Sequence, residues 1–163
     1  MLDKTMADAL NAQLNKEFHS AYLYLSMAAF FDAANLPGFA HWMRVQSGEE
    51  MGHMRKFYDH LNARDGRVLF GKIPPAETEW ASPKAVFDAA LKHERFITQS
   101  IHDLVDLARE KKDKAAEVFL AWFVTEQVEE EASAQYVLDV LEQVGEKGHT
   151  LILLDRELAK RGS

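Results

Sequence analysis

The sequence predicts an all-α protein: a four-helix bundle over about residues 4–145, followed by a short fifth, C-terminal helix over about 147–160. Two observations carry that prediction. Apolar residues recur at alternating steps of three and four along four long segments, the spacing of a helix face turned toward a core. One long connection, carrying Gly66, Gly71, Pro74 and Pro75, separates the second segment from the third. β-Structure has almost no claim.

The first seam runs Leu10, Leu14, Glu17, Ala21, Tyr24, Ala28. Pro37 and Gly38 open the second, which continues through Phe39, Met43, Gln46, Glu50, His53, Phe57 and Leu61. Ser82 and Pro83 supply an N-cap and a first-turn proline for the third: Phe87, Leu91, Glu94, Ile97, Ile101, Val105, Ala108. The fourth, Leu120, Phe123, Gln127, Glu130, Ala134, Val137, Leu141, stops near Gly145. The apolar-rich run from Thr150 to Ala159 makes the fifth helix. A bundle helix of about 28 residues is about 42 Å long. The connection from about Asp65 to Ser82 reaches roughly 59 Å when extended. It can therefore run the length of the bundle and make the second and third helices parallel. Short turns make the first and second helices antiparallel, and likewise the third and fourth.

A chain of 163 residues is long enough for one domain with a full core, and no linker or second domain is visible. A net charge of −7 argues against nucleic acid or anionic lipid as partner and favours cations. The absence of cysteine excludes disulfides, thiolate metal sites and iron–sulfur clusters. The N-terminus lacks a basic start followed by an apolar run, and no apolar stretch approaches bilayer-spanning length. A soluble, cytoplasmic protein is the expectation.

The polar interruptions of the seams are the informative residues. Glu17 is followed 33 residues later by Glu50-x-x-His53, and Glu94 is followed 33 residues later by Gln127-x-x-Glu130. With the first turn centred on Asn35, Glu17 lies 18 residues before it and His53 18 after, at one height in an antiparallel pair. Lys112 stands in the same relation to Glu94 and Glu130. Residues three apart share a helix face, so Glu50 joins His53 and Gln127 joins Glu130. Six polar side chains from four helices thus meet at mid-bundle. Four glutamates bring a formal −4, and no seam position is Lys or Arg. Two divalent ions balance that charge. Carboxylates with a single imidazole suit iron or manganese better than a structural zinc site. The alternative is a polar core layer of protonated glutamates.

At these residues the chain resembles the haem-free bacterial ferritins, over essentially its whole length. Ferritin-like carboxylate bundles are the standard example of metal sites built in a bundle core. The resemblance implies a first iron held by Glu17, Glu50 and His53. It implies a second held by Glu94 and Glu130, with Glu50 bridging and Gln127 close by. Bacterioferritins and related oxidases carry Glu-x-x-His where this chain has Gln127-x-x-Glu130, so the second iron should be held more weakly. Bacterioferritins also ligate haem through a methionine at the place occupied here by Gly52, between Met51 and Met54, and no haem is expected.

Glu49, Glu126 and Glu129 each precede a seam residue by one position, about 100° off the core face. They match the family's third iron site, and equally a solvated acidic face. Tyr24, two turns past Glu17, matches a tyrosine beside the di-iron centre, or an ordinary buried aromatic. Trp122 reads as packing before electron transfer. His19, His41, His60, His93, His102 and His149 read as surface or interface residues. Leu151, Ile152, Leu153, Leu154 and Leu158 have no obvious slot in a finished bundle, and the resemblance places them around the four-fold axes of a 24-subunit cage. Folding back on their own bundle is the alternative. Asp113 and Glu117 are candidates for lining acidic access channels.

The function implied is iron storage with ferroxidase activity. Pairs of Fe(II) bind at the bundle centre, O2 or H2O2 oxidises them, and Fe(III) is kept as hydrated ferric oxide inside a homo-oligomeric cage. A rubrerythrin-type di-iron peroxidase is the alternative, but it normally carries a cysteine-ligated iron domain. The small DNA-protecting relatives build their site between subunits and lack the fifth helix. A structural bundle or metal buffer is the non-enzymatic rival.

Overall fold

A computed structural model describes residues 2–162, and those residues form five helices and no strand. These are α1 (Lys4–Ala33), α2 (Pro37–Ala63), α3 (Pro83–Glu110), α4 (Lys114–Val144) and α5 (Gly148–Leu158). The all-α expectation and the helix order are both met.

Three helices end in the same way. Asn35, Asp65 and Lys112 take φ of 57°, 55° and 56°, the left-handed region. After α1, Leu36 N–H bonds to Phe31 O and Asn35 N–H to Asp32 O, the paired bonds that close a Schellman motif. The same two bonds recur after α2 at Gly66 and Asp65, and after α3 at Asp113 and Lys112. The residues that centred the turns in the sequence are thus the ones that reverse the chain.

Helix starts are capped by local oxygens in three cases. Asp3 accepts from Thr5 and Met6 N–H, Ser82 from Ala85 N–H, and Asp113 from Ala116 N–H. α2 has no cap of its own. Its first donors, Gly38 and Phe39 N–H, are met at 2.8 and 3.0 Å by Asp155 Oδ1 of α5. The approach is so close that a Cβ on Gly38 would sit 1.6 Å from the Asp155 carbonyl oxygen, which makes glycine obligatory there. The fifth helix therefore folds back on its own bundle in part. Leu154 and Leu158 join the core, while Ile152 and Leu153 stay about half exposed.

The connection between α2 and α3 runs along α1 in the same direction. Asn11 bonds to Arg67 and Leu69, Asn15 to Leu69 and Gly71, and Ser26 to Glu77, and Trp80 packs edge-on against Phe30. Climbing α1 while climbing the connection returns the chain to the end where α2 began. α2 and α3 are therefore parallel.

The apolar core comes in two parts. One, around Tyr24, Phe31, Phe39, Phe87 and Leu141, fills the end nearest α5. The other, around Leu10, Leu14, Phe57, Ile101 and Phe123, fills the opposite end. Between them lies a layer of buried polar side chains: Gln13, Glu17, Gln46, Glu50, His53, Glu94, Gln127 and Glu130.

Candidate metal centre

Two helical pairs deliver this layer. α1 and α2 bring Glu17, Glu50 and His53 together, so that one ligand atom from each lies within 4.8 Å of the others. α2, α3 and α4 do the same with Glu50, Glu94 and Glu130. Glu50 belongs to both groups, and all five side chains are buried. The equal-height reasoning from sequence is met by these distances.

Each carboxylate has a partial set of donors. Gln13 Nε2 donates to Glu17 Oε1 at 2.7 Å, and Glu17 Oε2 is buried with no partner. His53 Nδ1 lies 3.1 Å from Glu50 Oε2. Tyr24 donates its hydroxyl to Glu94 Oε1, and Gln127 Nε2 donates to Glu94 Oε2 at 3.2 Å. Gln46 Nε2 donates to Glu130 Oε2 at 2.5 Å and reaches Glu50 Oε1 at 3.4 Å. Burial, reinforced by the neighbouring Glu50, holds the Glu17 carboxyl well above the usual range. Burial does the same to Glu50, with Glu94 and Glu130 adding repulsion. Glu94 and Glu130 are pushed by burial only to about 7, because donors from Tyr24 and Gln127, and from Gln46, favour the ionised form. A buried, partnerless carboxylate oxygen beside three other carboxyls and an imidazole is a donor set that fits a pair of divalent ions.

The remaining sequence-predicted residues divide. Glu126 is drawn to the centre, with Oε1 3.8 Å from His53 Nε2, and forms a third possible ligand group with His53 and Glu130. Glu49 instead pairs with the Arg161 guanidinium at 2.6 Å. Glu129 is exposed, in a cleft shared with Trp42, Tyr136 and Arg161. Gln127 turns its amide N–H groups to Glu94 and to Thr98. Trp122 packs edge-on against His53, and Lys56 Nζ lies 4.3 Å from its ring centre.

The other histidines and the acids near the turns differ in their surroundings. His102 and His149 are exposed, but His93 is largely enclosed and bonds to Ser20 at 2.7 Å; burial lowers its pKa to about 4. His60 stacks flat on Phe119 with ring centroids 4.0 Å apart. Asp113 is tied to Arg64 by two bonds at 3.0 and 3.1 Å, and Glu117 to Arg109 and Lys114. The sequence reading also missed Gln13, Ser100 and Arg161 as partners of the layer. Gln13 had a signal, four residues before Glu17 on one face. Arg161 had none, since it arrives from beyond the fifth helix.

The chain belongs to the ferritin-like family: the ferritin-like domain matches residues 7–144. Within that class its relatives are bacterial non-heme ferritins. That of Staphylococcus saprophyticus is 43% identical over 99% of this chain and 96% of its own length. That of Bacteroides fragilis is 40% identical over 99% of this chain and all of its own. Among solved structures, the open pore ferritin of the hyperthermophilic archaeon Archaeoglobus fulgidus superposes with a TM-score of 0.98. It is 46% identical over 99% of this chain and 100% of that one.

Proposed function

We propose that this protein stores iron and is a ferroxidase, taking Fe(II) as substrate in pairs at the mid-bundle centre. The observation that carries the reading is Glu50, a buried carboxylate common to two ligand groups. Glu17, Glu50 and His53 would hold one ion, and Glu50, Glu94 and Glu130 the other, with Gln127 and Tyr24 fixing Glu94. A shared carboxylate keeps two ions close enough for one oxidant molecule to collect an electron from each. Anionic ligands favour the ferric product over the ferrous substrate. Glu126, facing His53 from the edge of the layer, would be the first acid met by an ion leaving the centre, with Glu129 one turn further on. Glu49, paired with Arg161, would border the same edge. Family membership supports O2 or H2O2 as oxidant, a homo-oligomeric cage of 24 subunits, and storage of Fe(III) as a hydrated oxide. Among the described residues no helix is long and apolar enough to cross a membrane. We place the protein in the cytoplasm.

The test is aerobic loading with a large molar excess of Fe(II), then size-exclusion chromatography with iron detection. Iron far above two per chain on a very large particle is expected. Uptake that stops near two on a small species would leave a di-iron centre and remove storage. Unchanged oxygen consumption in Glu94→Ala would remove the catalytic assignment.

A further inference from the structure

The layer is flanked by two basic side chains that the ligand pattern does not include, Lys16 and Arg161. Each ends a hydrogen-bond chain that runs inward to a ligand carboxylate. A guanidinium has only donors, so Arg161 Nη2, 2.8 Å from Gln46 Oε1, must donate to it. The Gln46 amide then has its oxygen outward and its NH2 inward, toward Glu130 Oε2 and Glu50 Oε1. On the opposite side Lys16 Nζ donates to Ser100 Oγ at 2.6 Å. That hydroxyl donates its one proton to Gln13 Oε1, 2.5 Å away, and the Gln13 NH2 donates to Glu17 Oε1. Both amides are 1% exposed, so no solvent competes to turn them.

Arg161 itself is held firmly. Its guanidinium lies 4.2 Å over the Trp42 ring and bonds Glu49 Oε2, and its backbone oxygen lies 2.8 Å from His41 Nε2. These contacts fix the cation where it meets Gln46.

We propose that Arg161 and Lys16 are positioning residues of the metal centre, acting through Gln46 and Gln13 to aim amide donors at the ligand carboxylates. Arg161 serves the Glu50–Glu130 side and Lys16 the Glu17 side. Without the outer cation either amide can rotate and present its oxygen to a carboxylate, which repels it. The proposal rests on the mid-bundle layer being a two-ion centre.

The test is anaerobic titration with Co(II), read by its visible ligand-field bands, on the full-length assembled protein. Arg161→Met is expected to weaken one of two tight Co(II) positions about 10-fold and to change that position's spectrum. Arg161→Lys should restore both. Gln46→Leu should match Arg161→Met, and the double variant should be no worse than Gln46→Leu alone, since one residue acts through the other. Lys16→Met and Gln13→Leu should behave alike on the other Co(II) position. Additive losses, or a Co(II) spectrum and affinity unchanged in Arg161→Met, would overturn the proposal. Wild-type protein that binds no Co(II) pair would overturn the proposed function itself, and this inference with it.

Discussion

The α1–α2 half of the centre and the α3–α4 half share the 33-residue spacing but satisfy their carboxylates differently. In the α3–α4 half both Glu94 oxygens have donors, from Tyr24 and Gln127, and Glu130 has Gln46. In the α1–α2 half one Glu17 oxygen has no partner, and Glu50 must face three other carboxyls. Burial raises all four carboxyls: donors hold Glu94 and Glu130 to about 7, while Glu17 and Glu50, with neighbouring carboxyls adding repulsion, are driven well above the ordinary range. The α3–α4 half carries more of its compensation in neutral amide and hydroxyl donors, while the α1–α2 half has Gln13 on one Glu17 oxygen and only a long Gln46 contact on Glu50.

The largest expected effect breaks both halves together. Glu50→Ala removes the shared ligand and should lower Fe(II) oxidation by ~100-fold or more. Glu94→Ala should instead leave one Co(II) or Zn(II) position intact in a calorimetric titration. Equal loss of both ions in the two variants would show that the halves are not separable.

Protons come next. Glu94 and Glu130 have folded values of about 7 against an ordinary 4.5. A carboxyl raised on folding favours the folded state fully below the ordinary value, and that contribution is lost as pH rises through about 7. Metal-free protein should therefore melt lower at about pH 8 than at about pH 5.5. Bound divalent metal, which needs the ionised forms, should shrink or reverse that order. Calorimetry should also detect proton release on binding at about pH 6.

A smaller change sharpens the contrast. Tyr24→Phe takes one donor from Glu94, worth about 1.5–3 kcal/mol for a bond to a charged group. It should move the pH of half-maximal Zn(II) binding upward, making the α3–α4 half behave more like its counterpart. No shift would mean that the hydroxyl only fills space.

The smallest effect concerns the turns. Both halves reverse at a left-handed residue, Asn35 in one and Lys112 in the other. Asparagine adopts that region at lower cost than lysine. Lys112→Gly should raise stability by about 0.5–1 kcal/mol, and Asn35→Gly by less. Thermal melts of the two variants test the ranking.

Much of this was legible before any coordinates. The seams gave the helices, and two turn centres gave the height at which Glu17, Glu50, His53, Glu94 and Glu130 meet, because helical rise is regular. The route of the long connection was legible too, from its length; what escaped was the placing of the residues that follow α4. Asp155 caps α2 from more than 110 residues away, and no periodicity announces a cap supplied by another helix. Arg161 supplies a cation that the seams lacked, from beyond the fifth helix. The acids at Glu49, Glu126 and Glu129 were grouped by rotation about a helix, which ignores what else competes for them. Only Glu126 reaches His53 and Glu130, because Glu49 is taken by Arg161.

The order in which these pieces are synthesised has a consequence for the newborn chain. Asp155 and Arg161 follow all four bundle helices in the sequence, so they leave the ribosome after the six seam residues have already emerged. Until then the start of α2 is uncapped and the Gln46 amide is free to turn. A nascent bundle would thus meet cations with its buried acids unfinished, and synthesis of the segment that carries Asp155 and Arg161 would convert a loose set of carboxylates into an ordered one.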